Sequence, residues 1–143
     1  MKKIGIILIA LVVMAGVAGA EGMWKDGTYT AEGDEFSHGW KNMVRIVVEN
    51  GYIVEAHFDA IPEEGDKWKY VSSVHGDYGM VEDSDAESYW YEQADKAAVK
   101  LIEAQDPEEF LGSGSGVDSI SGVSVTIEPH FKLAQEALKG NRR

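Results

Sequence analysis

Apolar and polar residues alternate most regularly between positions 42 and 61, where NMVRIVVE is followed by Asn50-Gly51 and then YIVEAHFDAI. A period of two marks a half-buried strand, and Asn-Gly best tolerates the two left-handed positions of a type I′ turn, so the pattern predicts an antiparallel hairpin. Val44, Ile46 and Val48 share one face of the first arm, and Tyr52, Val54, Ala56 and Phe58 one face of the second. That leaves Glu55, His57 and Asp59 together as a solvated polar face. A shorter β-favouring run around Tyr29, bounded by glycines, predicts an edge strand over 27–32.

Farther along, the period lengthens to that of a helix. Trp90, Ala94, Ala97 and Leu101, widened by Ala98 and Ile102, form an apolar stripe. The helix carrying it opens with a capping box, Ser84 three residues before Glu87, and runs to Gln105, where Asp106-Pro107 stops it. A last helix begins at Pro129 and ends near Lys139 with Gly140 as terminator, turning Phe131, Ala134 and Leu138 inward. Between hairpin and first helix, residues 62–82 hold Pro62, several glycines and the scattered aromatics Trp68, Tyr70 and Tyr78; they read as a loop with at most a short strand. GSGSG at 112–116 reads as a flexible connection. The sum is an α+β domain, a small antiparallel sheet with a central hairpin packed by two helices.

Composition adds compartment and partner class. Lys2 and Lys3 precede an unbroken apolar run from Ile4 to Ala20 that ends in Ala18-Gly19-Ala20, the arrangement of a cleavable export signal; residues 1–20 are read as that leader and 21–143 as the domain. An uncleaved membrane anchor is the rival, because the run reaches the short end of a membrane span. Either way the domain lies outside the cytoplasm, periplasmic or secreted. No cysteine occurs anywhere, which excludes disulfides, thiol chemistry and lipid attachment at a cysteine. Taking two lysines from the 13 basic residues leaves 11 against 25 acidic ones, a net charge near −14 that disfavours nucleic acid and anionic lipid as partners.

Common catalytic and metal apparatus is missing from the sequence. There is no Gly-x-Ser-x-Gly elbow, no His-Glu-x-x-His and no phosphate loop. His38, His57, His75 and His130 are too widely spaced to suggest a metal cluster, and DSDAE at 83–87 lacks the glycine and closing glutamate of an EF-hand. What stands out is DSISGVSVT at 118–126, immediately before the last helix. Asp118 and Ser119 suit local backbone hydrogen bonds, Ser121-Gly122 a tight bend, and Ser124 and Thr126 one face of a short extended segment. Backbone N–H groups at the helix start and the helix dipole favour a phosphate there, while the plainer alternative is that Ser124 or Thr126 caps the helix.

The same nine residues resemble the Asp-x-x-Ser-Gly-Ala-Thr-x-Thr signature of the FMN-binding domain family, found in flavin-carrying subunits of membrane complexes such as the sodium-pumping NADH:quinone reductase and in exported flavoproteins. DGTYTAEG, VRIVVENGYIVEAHFDAI and HFKLAQEAL look like the family's opening, central hairpin and closing helix, and DEFSHGWKN like its major membrane immunogen subgroup. The resemblance covers about residues 26–139; Val123 stands where the signature has alanine and Ser124 where it has the first threonine.

The resemblance implies an extracytoplasmic electron carrier, rather than a catalyst with its own substrate. In it FMN is joined by a phosphoester to Thr126, attached by a flavin transferase and exchanging electrons with redox partner proteins at the membrane. It further implies that Ser121 and Gly122 shape the attachment loop, that Asp118 orders it or engages the transferase's metal, and that Ser124 donates to the phosphate. Trp40, Trp68 or Tyr78 would supply aromatic surface to the flavin ring. Two other readings stay open: a flavin-free secreted binding or antigen module that keeps the fold, and a reversible FMN binder.

Overall fold

A computed structural model describes residues 22–78, 88–112 and 126–143. Three strands, β1 (Gly27–Glu32), β2 (Trp40–Glu49) and β3 (Tyr52–Pro62), form an antiparallel meander in the order β1-β2-β3. The expected hairpin is its centre: Asn50 and Gly51 take φ values of 53° and 82°, the two left-handed positions of the turn. Asp26 holds that turn by accepting a 2.8 Å hydrogen bond from the Gly51 N–H.

One face of β2 is buried as expected, through Val44, Ile46 and Val48. The expected face of β3 needs correction. Between Val47 and Val48 the register slips, so that Val48 faces Ile53 while Val47 faces Glu55, and Val54 becomes the extra residue of a β-bulge. The slip reverses side-chain parity at the turn end of the strand: Ile53 joins Ala56 and Phe58 in the core, and Tyr52 and Val54 are only half-buried.

Helix α1 (Lys69–Val74) follows, then α2 (Trp90–Ala104), a 3₁₀ turn (Pro107–Phe110) and α3 (Glu128–Leu138). The two long helices close the sheet, α2 against β3 and α3 against β2 and β1, which establishes the α+β class. Trp90, Ala94, Ala97, Ala98, Leu101 and Ile102 are all buried along α2, and Phe131, Ala134 and Leu138 along α3. Phe131 packs edge-on to Phe58 and stacks on Phe110. Each fully buried leucine, isoleucine or phenylalanine among them contributes roughly 1.5–3 kcal/mol of transfer free energy.

Three expected boundaries move. α2 begins at Trp90 rather than at the Ser84 box: Glu92 accepts a 2.8 Å hydrogen bond from the Tyr89 N–H and fixes the start there, while Ser84 and Glu87 lie outside the described residues. α3 begins at Glu128, one residue before Pro129. Within the expected loop 62–82 stands α1, whose six residues lack a side-chain cap and are too few to be stable alone. It is held from outside, by Asp59 Oδ1 accepting from the Tyr70 N–H at 2.9 Å and by Ser73 Oγ accepting from the Tyr91 N–H at 3.1 Å.

Candidate functional site

Asp59, placed by alternation on the face opposite Phe58, is not solvated as the sequence pattern implied; it is 3 % exposed, because α1 lies over it. Burial of a carboxylate demands partners, and that of Asp59 has three. Oδ1 accepts from the N–H groups of Ala60 and Tyr70 at 2.8 and 2.9 Å, and Oδ2 accepts from His57 Nε2 at 2.9 Å. Its carbonyl oxygen accepts from His130 Nε2 at 2.8 Å, which ties the end of β3 to the first turn of α3. Glu55, by contrast, stays at the surface side of the strand and pairs with Arg45 at 3.6 Å.

His130 is buried between Phe58, on which its ring stacks, and Trp90. Because Nε2 carries the donated hydrogen, Nδ1 bears a lone pair, and this atom has no hydrogen-bond partner among the described residues. Burial drives the His130 pKa from 6.5 down to about 4, with the Lys69 cation adding to the fall and the bond to Asp59 opposing it.

Lys69 opens α1 and directs its ammonium into a box of three aromatic rings: Nζ lies 4.7 Å from the ring centre of Tyr78, 4.9 Å from Trp90 and 5.8 Å from Trp40. Trp40 and Tyr78 meet edge to face at 6.2 Å. Desolvation lowers the Lys69 pKa from 10.5 to about 8, against the pull of Asp59. Next to it the Tyr70 hydroxyl donates to Asp95 at 2.7 Å, and burial pushes the tyrosine above its ordinary range and the carboxyl of Asp95 upward as well. The result is a contiguous polar and aromatic cluster, His57, Asp59, Lys69, Tyr70, Asp95 and His130 walled by Trp40, Tyr78 and Trp90.

Of the predicted site residues, Thr126 is exposed and directly precedes Ile127, the residue that caps α3. The cap position of α3 is thus Ile127 and not Thr126, and no side-chain cap bond is made there; Ser124, the other residue of the plainer alternative, lies outside the described residues. Thr126 stands one helical turn before His130, at the same end of α3 as the buried cluster. Asp118, Ser121, Gly122 and Ser124 lie outside the described residues. The N–H groups of Ile127 and Glu128 head the helix; Pro129 has none, and that of His130 returns to the Ile127 carbonyl at 2.9 Å. Glu128 adds a carboxylate to this first turn. Among the three aromatics proposed as a ring platform, Trp40 and Tyr78 come together, whereas Trp68 is the half-buried cap of α1.

Lys69, Tyr70, Asp95 and the role of His130 escaped sequence reasoning. The visible signal was KWKY at 67–70, two lysines interleaved with aromatics. A groove of about 490 Å³ opens beside the cluster between Gly39, Trp40, Pro62, Lys67 and Ser72. A larger one of about 590 Å³, between Trp24, Asp106, Glu108, Lys139 and Arg142, shares no residue with it and lies where Trp24 pairs with Arg142. Among the described residues no helix is long and apolar enough to cross a membrane.

No family model matches the chain, and no curated protein does. Solved structures do. A protein of Clostridium thermocellum, determined by solution NMR, is 44% identical over 80% of this chain and 90% of its own, with a TM-score of 0.59. A protein of Clostridium perfringens, determined by crystallography, is 27% identical over 83% of this chain and 89% of its own, with a TM-score of 0.61.

Proposed function

We propose that this chain, which belongs to one family with the Clostridium thermocellum protein, is an exported flavoprotein that carries FMN on Thr126 and acts as an electron carrier outside the cytoplasm. The observation that carries the reading is the position of Thr126: an exposed hydroxyl, free of any capping duty, at the last residue of DSISGVSVT and at the mouth of a helix N-terminus. In the attachment step, catalysed by a flavin transferase, the Thr126 hydroxyl gives up its proton and its oxygen bonds to the FMN-side phosphorus of a flavin nucleotide diphosphate donor, as the P–O bond of the diphosphate breaks and the other phosphate half leaves as a nucleoside monophosphate.

The residues present suit such a group. The Ile127 and Glu128 N–H groups and the dipole of α3 favour a phosphate ester. Trp40 and Tyr78 offer aromatic surface. FMN, when bound, takes up and passes on electrons singly or in pairs. The chain's own task is to hold it, to limit water around it through Trp40, Tyr78 and Trp90, and to set the charge near it through Lys69. The first turn of α3 also favours a second reading, a flavin-free binding module: Pro129 removes one donor there and Glu128 adds a negative charge that repels phosphate.

Co-expression with a flavin transferase followed by unfolding separates the readings. Wild type is expected to keep flavin fluorescence on a denaturing gel, and Thr126→Ala to show none. Flavin released on unfolding would make the protein a reversible binder, and absence of flavin beside a labelled control substrate would favour the bare module.

A further inference from the structure

Tyr70, Tyr91 and Tyr89 stand in a file that runs from the core outward and takes no part in the proposed holding of flavin. We propose that this file is a one-electron relay, in which an oxidant at the surface draws an electron through Tyr89 and Tyr91, and Tyr70 becomes the seat of the radical by handing its phenolic proton to Asp95. The rings are neighbours: Tyr70 and Tyr91 have centres 5.7 Å apart, and Tyr91 stacks on Tyr89 at 6.0 Å with 17° between planes. Tyr70 is 3 % exposed whereas Tyr91 and Tyr89 are half-buried, so the file joins core to surface. Both outer residues are anchored, the Tyr91 N–H on Ser73 Oγ and the Tyr89 N–H on the Glu92 carboxylate. The proton acceptor is already in place, because the Tyr70 hydroxyl donates to Asp95 Oδ2 at 2.7 Å. Tyr29, likewise half-buried, donates instead to the Lys25 carbonyl at 2.6 Å, an oxygen too weakly basic to keep a proton. The chain has no cysteine, so no thiol competes for the oxidant.

The step balances with one external reactant, a one-electron oxidant such as a trivalent metal complex. An electron leaves Tyr89 for the oxidant, an electron from Tyr91 takes its place, and one from Tyr70 takes the place of that. The oxidised phenol is a strong acid, so its proton passes along the existing hydrogen bond to Asp95 Oδ2. A neutral tyrosyl radical and a neutral carboxyl remain, and the oxidant is reduced by one electron. Of the three tyrosines, Tyr70 alone has its hydroxyl on a carboxylate among the described residues, which makes it the end of the file where the oxidising equivalent comes to rest. Burial keeps Tyr70 a protonated phenol, so electron and proton leave together, and it raises the Asp95 carboxyl, which makes that group a stronger base than an exposed carboxylate. When an electron returns, the proton goes back by the same bond and the file is reset.

The test uses the full chain, purified without flavin transferase and flashed with light in air beside ruthenium tris-bipyridine and a cobalt(III) acceptor. The ruthenium(III) complex so formed is a one-electron oxidant too large to enter the core, and oxygen fixes the tyrosyl radicals as hydroxylated tyrosine. Peptide mass spectrometry then reads the yield at each tyrosine. Tyr70, although buried, is expected to be hydroxylated at least as fast as Tyr29. Tyr91→Phe keeps the ring but cannot be oxidised in turn, and Asp95→Asn removes the base; each should remove the Tyr70 label and leave that of Tyr29. Labelling that follows exposure, with Tyr29 modified and Tyr70 not, overturns the proposal, and so does a Tyr70 label that survives either substitution. The first comparison is made within one wild-type sample, so misfolding of a variant does not affect it.

Discussion

His130 shows how one buried atom couples pH to folding. Burial brings its pKa to about 4 in the folded chain, against 6.5 for the exposed side chain. Between these values the unfolded chain binds a proton that the folded chain refuses, so stability falls as pH drops from 6.5 through 4 and loses no more below that. The shift corresponds to something on the order of 3 kcal/mol. His130→Phe is expected to flatten this part of the stability-against-pH curve measured by urea unfolding, while lowering stability at pH 7 because the Asp59 carbonyl loses its donor. An unchanged slope would show that other groups titrate there. From the sequence, His130 was one of four scattered histidines; what gives it meaning is Asp59, 71 positions away, and no local pattern records that pairing. Thr126 could be singled out for the opposite reason, since DSISGVSVT and the helix after it are contiguous along the chain.

Among the elements, the central hairpin was readable in full outline because Asn50-Gly51 and the alternation around it act locally. The bulge at Val54 was not, and the cause lies in α2. Gln105 closes that helix in the left-handed region, at φ 66°, and its amide meets Ile53 on both sides. Oε1 accepts from the Ile53 N–H at 2.7 Å, and Nε2 donates to the Ile53 carbonyl at 2.9 Å. A helix terminus thus supplies the backbone pairing that edge strand β3 would otherwise take from another chain. Gln105→Ala leaves both Ile53 groups without these partners and is expected to lower unfolding stability by about 2–4 kcal/mol, with Gln105→Asn, one methylene short, nearly as costly. A loss under about 0.5 kcal/mol would mean that water replaces the amide. α1 was missed on similar grounds, because its anchors, Asp59 and Ser73 to Tyr91, are tertiary.

On the scale of the molecule, the two ends of the described chain are sewn together. The Lys25 N–H donates to the Asn141 carbonyl at 2.7 Å and the Arg143 N–H to the Met23 carbonyl at 2.9 Å. Arg142 covers the Trp24 ring at 4.7 Å and pairs with Asp106 at 3.1 Å. Trp24 in turn donates from Nε1 to the Gln105 carbonyl at 2.8 Å, so the clasp and the α2 terminus act as one unit. Deleting residues 141–143 is expected to cost about 2–3 kcal/mol in urea unfolding, from two backbone hydrogen bonds and a cation over a ring; an unchanged midpoint would show the clasp to be passive. Fold class and acidity were legible at this scale, because periodicity and composition are properties of the whole chain. The lysine box was not, because Trp40, Lys69, Tyr78 and Trp90 come from four separate segments.

The proposed attachment of flavin comes down to a single bond, and intact mass spectrometry reads it directly. Wild type co-expressed with a flavin transferase should gain the mass of one FMN joined with loss of water, carried on the peptide that contains Thr126, and Thr126→Ala should gain nothing. Wild type that stays at its unmodified mass, in cells where a control substrate is labelled, would rule the bond out.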